Sequence, residues 1–130
     1  MITSELSFEI TFLRTITQLL PLHHNLSMTT LLVLFNLKSG VSDADYEAFA
    51  KTLDIPTVTS LKSVSDFKVY KSYGIFGSDA TPPYRYFEII HFSTVDELVG
   101  DMGAEPKMAE IPTKFAEMAD SPLFILTREI

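Results

Sequence analysis

The sequence predicts one α+β domain of the ferredoxin-like type, a sandwich with the element order β-α-β-β-α-β. Segments of strand and helix periodicity alternate in that order along the chain. The length of 130 residues fits a single domain, and 46% of the residues are hydrophobic, with ten Phe and five Tyr, which is enough for a sizeable core. In this topology an antiparallel four-stranded sheet carries helices on one face.

Composition excludes several classes of function. The chain has no cysteine, which excludes disulfide scaffolds, cysteine–zinc sites, iron–sulfur ligation and a thiol nucleophile, and fits a cytoplasmic location. The net charge is −7 and the Lys and Arg residues form no cluster, so we expect no nucleic-acid partner. No apolar run approaches the roughly 20 residues that a membrane span needs, so we expect no membrane partner.

Residues 1–27 form an N-terminal extension that differs from the domain at residues 28–130. They contain no Lys, Gly or Tyr, and both of their acidic residues precede Arg14, which does not fit a secretory signal peptide. Apolar residues from Phe12 to Leu20 follow helical spacing. Two interpretations stay open: a loosely attached helical arm, or a stretch that precedes a true start at Met28.

The first half of the domain is predicted as strand, helix and strand. Residues 31–37 are apolar on both parities, as in a strand buried on both faces. Ser42, with Asp45 three residues on, can cap a helix. One apolar helix face then carries Tyr46, Phe49, Ala50 and Leu53. We expect Pro56 to interrupt this helix at residues 54–56, with a short helical turn after it and a second strand at residues 64–73.

The second half begins with a loop at residues 74–83 and the third strand at residues 84–93. In that strand we expect the parity of Phe87, Ile89 and His91 to face the helices. Thr94 can cap the next helix, and a further helical stretch at residues 105–119 should be kinked or split by Pro112. The last strand covers residues 123–128.

The first and last strands predict a dimer. Both are apolar on both sides, while the helices of this fold cover one face of the sheet. A second copy that packs sheet against sheet in a two-fold homodimer would cover the other face. The alternative is a monomer in which residues 1–27 cover it.

Two polar residues are candidates for a site between helices and sheet. His91 is the candidate catalytic residue, because imidazole exchanges protons near neutral pH. The alternative is a strand-end histidine bonded to backbone or water. Asn36 interrupts an apolar strand, and a buried amide needs a hydrogen-bonding partner. That partner is either a ligand or the backbone of the following turn.

Aromatic residues and one acidic residue complete the candidate ligand-binding set. Four tyrosines lie within seventeen residues and suit either a flat aromatic ligand or a dimer interface: Tyr70, Tyr73, Tyr84 and Tyr86. Glu88 lies in an apolar strand, where a carboxylate is costly unless it is paired. Its candidate partners are Lys68, Lys71, Arg85 and Arg128. The predicted ligand-binding residues are Asn36, Tyr70, Tyr73, Tyr86, Glu88 and Arg128. No metal-ligand spacing and no phosphate-binding loop is visible.

Five strings resemble the REDY-like family, whose members are encoded with prodiginine-type tripyrrole pigment pathways. They are DYEAF at residues 45–49, DIPTV at 54–58, LKSVSDF at 61–67, GSDATPPY at 77–84 and SPLFILT at 121–127. The resemblance covers residues 28–130 and implies a dimeric α+β barrel. It carries over no catalytic motif. Related barrels bind flat aromatic compounds, sometimes haem, between helices and sheet, and some place an Asn late in the first strand, where Asn36 stands.

The resemblance implies an accessory protein or enzyme that handles an aromatic, pyrrole-type intermediate in a helix–sheet cavity. Asn36 and His91 would be its polar contacts and tyrosines its walls. The alternative is a non-catalytic, chaperone-like dimeric module that stabilises or positions another pathway enzyme. We expect no cofactor, because haem would need an axial ligand and the predicted helices of the domain carry no histidine. Whether a reaction is catalysed stays open.

Overall fold

Four strands form one antiparallel sheet in a computed structural model that describes residues 28–130. The strands are β1 (Thr29–Leu37), β2 (Val64–Lys71), β3 (Tyr86–Phe92) and β4 (Ala119–Arg128), and their order across the sheet is β2-β3-β1-β4. This order and the connecting helices confirm the ferredoxin-like α+β fold class. Both interpretations of residues 1–27, and the alternative in which they cover the sheet, lie outside the described residues.

The first helical segment is continuous where an interruption is expected. Helix α1 (Asp43–Phe49) begins with a capping box, in which the Asp45 backbone N–H donates to Ser42 Oγ at 3.0 Å. The chain then passes through a π-helical turn (Ala50–Asp54) into α2 (Ile55–Thr59). The expected break is wrong because Pro56 lies in the first turn of α2, where an N–H is not needed, and the wider π turn makes room for it.

The second helical segment is split, in agreement with the position of its proline. Helix α3 (Val95–Ala104) is capped by the Thr94 side chain and is followed by a 3₁₀ turn (Pro106–Ala109) and by α4 (Ile111–Met118). Pro112 occupies the first turn of α4. None of the helices within residues 28–130 is long and apolar enough to cross a membrane.

The helices cover the opposite parity of β3 from the one expected. Buried side chains alternate along this strand, and they are Tyr86, Glu88, Ile90 and Phe92. Pairing with β1 places Glu88 beside Val33, which is also buried. The expectation that His91 faces the helices is therefore wrong. Both parities of β3 carry large apolar residues, so the strand pattern alone does not show which of them faces the helices.

The other side of the sheet is an apolar surface, which we call the open sheet face. Its central residues are Leu32, Leu34, Phe87, Ile89, Leu123 and Ile125. Leu123 and Ile125 on the edge strand are 44% and 42% exposed. No element within residues 28–130 packs over this face. The two-sided apolar pattern of β1 and β4 thus corresponds to one face under the helices and one open face.

Candidate functional site

A cavity of about 740 Å³ lies between the helices and the sheet. Its apolar lining comes from three strands, the three helices α2 to α4 and the turns that join them: Leu31, Val33, Val58, Leu61, Ile90, Leu98, Met102, Met108, Ile111, Phe115 and Phe124. This volume is within the range of small-molecule sites. The prediction that tyrosines form the walls is wrong for this cavity, because no tyrosine lines it.

The mouth of the cavity is shaped by a bulge in β4. The pairing of β1 with β4 shifts so that Ser121 and Pro122 together oppose Phe35. Ser121 has a φ of 49°, in the left-handed region, which is characteristic of bulges and tight bends. Asp120, Ser121 and Pro122 line the cavity together with Lys38, and the exposure of Lys38, Asp120 and Ser121 assigns them to its opening.

Two buried carboxyl groups face the cavity. Asp54 and Glu88 are each only 4% exposed, and both belong to the cavity lining. The buried Tyr46 hydroxyl on α1 donates a hydrogen bond to Glu88 Oε2 at 2.5 Å. Among residues 28–130, no side chain or backbone group donates to the Asp54 carboxyl. The apolar cavity is therefore lined by two groups that accept hydrogen bonds, and a tyrosine outside the lining holds Glu88 in place.

Burial changes the protonation of this carboxyl pair. It raises the pKa of Asp54 to about 7. Burial, reinforced by the neighbouring charge of Asp54, raises the pKa of Glu88 to about 8, against the smaller opposing effect of the Tyr46 hydrogen bond. Burial and Glu88 also raise the pKa of Tyr46 above its ordinary value. The pair can consequently gain or lose a proton near neutral pH.

The expected cationic partners of Glu88 are wrong. Lys71 Nζ lies 2.9 Å from Glu47 Oε2, Lys68 pairs with Asp66, and Arg85 pairs with Asp43. The fourth candidate, Arg128, lies opposite Thr29 at the end of β4. Glu88 instead lies between Val33 and Val69 on the helix side of the sheet, so a tyrosine from α1 is the group that reaches it.

The structure separates most of the predicted site residues from the cavity. His91 lies on the open sheet face, where its Nδ1 is 2.8 Å from Thr30 Oγ1. Tyr70 is half-exposed on the same side, and Tyr73 is fully exposed after β2. Tyr86 is buried beside Tyr46 and donates to Glu47 Oε2 at 2.7 Å. Glu88 is the predicted residue that lines the cavity. The ligand-binding roles of the others, Arg128 included, stay predictions that no distance here tests.

Asn36 ties two segments together at the end of β1. Its Nδ2 donates to the Pro83 carbonyl at 2.9 Å, and its Oδ1 accepts from the Arg85 backbone N–H at 2.9 Å. The partners are backbone groups, as the second interpretation expects, but they belong to the segment before β3 and not to the turn that follows β1. Asn36 does not belong to the cavity lining.

We expect Asn36→Ala to lower the free energy of unfolding by about 1–2 kcal/mol, because two hydrogen bonds to backbone groups are lost. Ligand binding in the cavity should be unchanged in the folded variant. Urea unfolding and titration with a cavity ligand check both expectations. Unchanged stability together with lost binding would instead assign Asn36 to the binding site.

Sequence reasoning misses two members of the site, Asp54 and Tyr46. Tyr46 is assigned to the apolar face of α1, which is correct, but its hydroxyl partner is not visible in the sequence. Asp54 follows Leu53 and precedes Ile55, and an acidic residue within an apolar run is the signal that could have identified it. Within residues 28–130, no group of three or more His, Asp or Glu side chains is arranged to hold a metal ion.

Comparison with known families gives one match that covers almost all of the described residues. A family model described as REDY-like protein HapK matches residues 29–130. A sequence search of curated proteins finds no match.

Solved structures share the fold. HapK from Hahella chejuensis is 25% identical with a TM-score of 0.60, and the match covers 79% of this chain and 93% of that one. An Arabidopsis thaliana protein is 20% identical with a TM-score of 0.64, covering 78% and 95%. A dimeric ferredoxin-like protein of unknown function from Thermobifida fusca is 13% identical with a TM-score of 0.64, covering 84% and 97%.

Proposed function

Because the chain belongs to the REDY-like HapK family, we propose that it binds an aromatic, pyrrole-type intermediate of prodiginine-type pigment biosynthesis in its helix–sheet cavity. The observation that carries this proposal is the cavity of about 740 Å³, which combines apolar walls with buried polar groups. Small-molecule sites have this composition, with a few polar groups that orient the ligand. A closed, well-packed interface between helices and sheet would have favoured the alternative, a non-catalytic module that positions another pathway enzyme.

The open sheet face supports a homodimer as the working form. Six large apolar side chains are gathered on this face, and an apolar surface of this kind is costly to leave in water. Packing two copies sheet against sheet around a two-fold axis would cover it with the same residues from each subunit. The structurally similar Thermobifida fusca protein is described as dimeric, which agrees with this arrangement.

Binding of a bipyrrole is tested by closing the mouth of the cavity. Ala116 on α4 lines the cavity and is exposed, so Ala116→Trp should obstruct the opening without overpacking the core. We expect 2,2′-bipyrrole at about a hundred times its dissociation constant to raise the melting temperature of the unsubstituted protein by several degrees. In Ala116→Trp the increase should fall below about a degree, since RT ln(1 + [L]/Kd) vanishes when binding is lost.

Ala48→Trp provides the matched control, because Ala48 is exposed on α1 and does not line the cavity. It should keep the full increase. If 2,2′-bipyrrole does not raise the melting temperature of the unsubstituted protein, the binding proposal is contradicted and the module remains. Recovery of a pathway enzyme with the protein from producing cells would then support the module.

A further inference from the structure

We propose that the cavity selects cationic, N–H-bearing aromatic ligands over neutral and anionic ones, with Asp54 and Glu88 as the acceptors that bind the N–H group. The inference rests on the proposed function, since it uses the same cavity. It adds the charge of the ligand and the two residues, Asp54 and Glu88, that distinguish ligands by this charge.

The hydrogen-bonding capacity of the cavity supports a donor ligand. Asp54 is 4% exposed, and none of the hydrogen bonds within residues 28–130 reaches its carboxyl. Glu88 accepts one bond at Oε2, from Tyr46, which leaves Oε1 without a donor in the same part of the chain. Both carboxyls line the cavity, so a bound ligand that supplies N–H groups can donate a hydrogen bond to each of them.

The charges around the pair favour a cation. Tyr46 faces it from α1, and its hydroxyl is already bonded to Glu88. The three helices α2 to α4 contribute apolar side chains and a proline to the lining, and charged groups otherwise reach the cavity at its mouth, through Lys38 and Asp120. An anionic ligand would be repelled by either carboxyl whenever that carboxyl is ionised, and the repulsion is strong in an apolar environment. A cationic ligand can take the place of the protons on Asp54 and Glu88, because its positive charge stabilises the ionised carboxylates.

Three probes of the same shape and different charge separate these cases. 1-Naphthylmethylamine is cationic at neutral pH, 1-naphthalenemethanol is neutral, and 1-naphthoate is anionic. By isothermal titration, we expect the amine to bind about ten- to a hundredfold more tightly than the alcohol, as charge-assisted hydrogen bonds do. The acid should bind more weakly than the alcohol.

Carboxyl-to-amide substitutions identify the residues responsible. Asp54→Asn and Glu88→Gln keep the side-chain size, and each should reduce the preference for the amine over the alcohol by about tenfold. Binding of the alcohol should stay within about twofold of the unsubstituted protein, which shows that the cavity is intact. Asp96→Asn, on the exposed surface of α3, is the matched control and should leave the preference unchanged.

The pH dependence gives a second readout. Because the ionised pair binds the cation best, affinity for the amine should rise by about tenfold between pH 6 and pH 8, while affinity for the alcohol should not rise. Asp54→Asn should flatten this profile.

Equal affinity for amine and alcohol, or an unchanged preference in both variants, overturns the inference while leaving the proposed cavity function intact. Absence of binding by all three probes and by 2,2′-bipyrrole overturns both.

Discussion

The double substitution Asp54→Asn/Glu88→Gln is expected to make the protein more stable than the unsubstituted chain at high pH. Burial raises the pKa of Asp54 from 3.8 to about 7 and that of Glu88 from 4.5 to about 8. Between about pH 4 and about pH 8, the two carboxyls lose their protons in the unfolded chain and keep them in the folded chain. The stability present below about pH 4 is therefore lost progressively as pH rises to about 8.

The expected size of this effect is several kcal/mol. Each unit of pKa difference corresponds to about 1.4 kcal/mol, and the two carboxyls influence each other, so we expect about 3–5 kcal/mol for the pair rather than the full sum. The double amide variant has no carboxyl at either position, so it does not lose this stability as the pH rises. The difference in unfolding free energy between about pH 5 and about pH 9 should be smaller in the variant by that amount.

Urea unfolding at fixed protein concentration measures this difference, because dimerisation makes stability depend on concentration. Asp96→Asn replaces an exposed carboxyl and should leave the pH profile close to that of the unsubstituted protein. Parallel profiles for the double variant and the unsubstituted protein would show that the pair is ionised at ordinary pH in the folded state, against the burial described above.

A charge at the centre of the open sheet face is expected to separate the proposed dimer into monomers. Ile89 lies on β3 between Leu32 on β1 and Lys68 on β2. Ile89→Lys would place an ammonium group from each subunit against the apolar face of its partner. Burying an unpaired charge costs several kcal/mol per ion, and the two-fold axis repeats the cost. The dissociation constant should rise by at least about a thousandfold.

Sedimentation over a range of protein concentrations measures this change. The control is Val99→Lys, because Val99 is an exposed apolar residue on α3, on the opposite side of the molecule from the open sheet face. This variant should sediment as the dimer does. At about 100 µM protein, even a weakly associating dimer would be populated. If the unsubstituted protein is monomeric at that concentration, the proposed dimer is contradicted.

Periodicity determines the order of elements because it reports local preferences. The capping residues Ser42 and Thr94 begin helices where their side chains predict them, since a cap needs only its own turn of helix. Pro112 likewise lies in the first turn of a new helix. The expectation for Pro56 fails because a π-helical turn is a local alternative to a break, and both alternatives satisfy the same residue pattern.

The assignment of sheet faces depends on pairing rather than on pattern. In β3, Phe87 and Ile89 are as apolar as Ile90 and Phe92, so alternation identifies two sets without saying which one the helices cover. Register with β1 decides it, and a shift of one residue exchanges the two faces. This is why His91 lies on the open sheet face and Glu88 lies under the helices.

The amino-acid sequence was sufficient for the fold class, the element order, the family and the presence of a costly carboxylate at Glu88. These follow from local periodicity, from short strings and from the energetic cost of charge in an apolar strand. The tertiary structure decided that Asp54 and Glu88 line one cavity, and that the Tyr46 hydroxyl bonds to Glu88. Residues 42 positions apart, such as Tyr46 and Glu88, meet only when the helix packs on the sheet, and no pattern within either element encodes that contact.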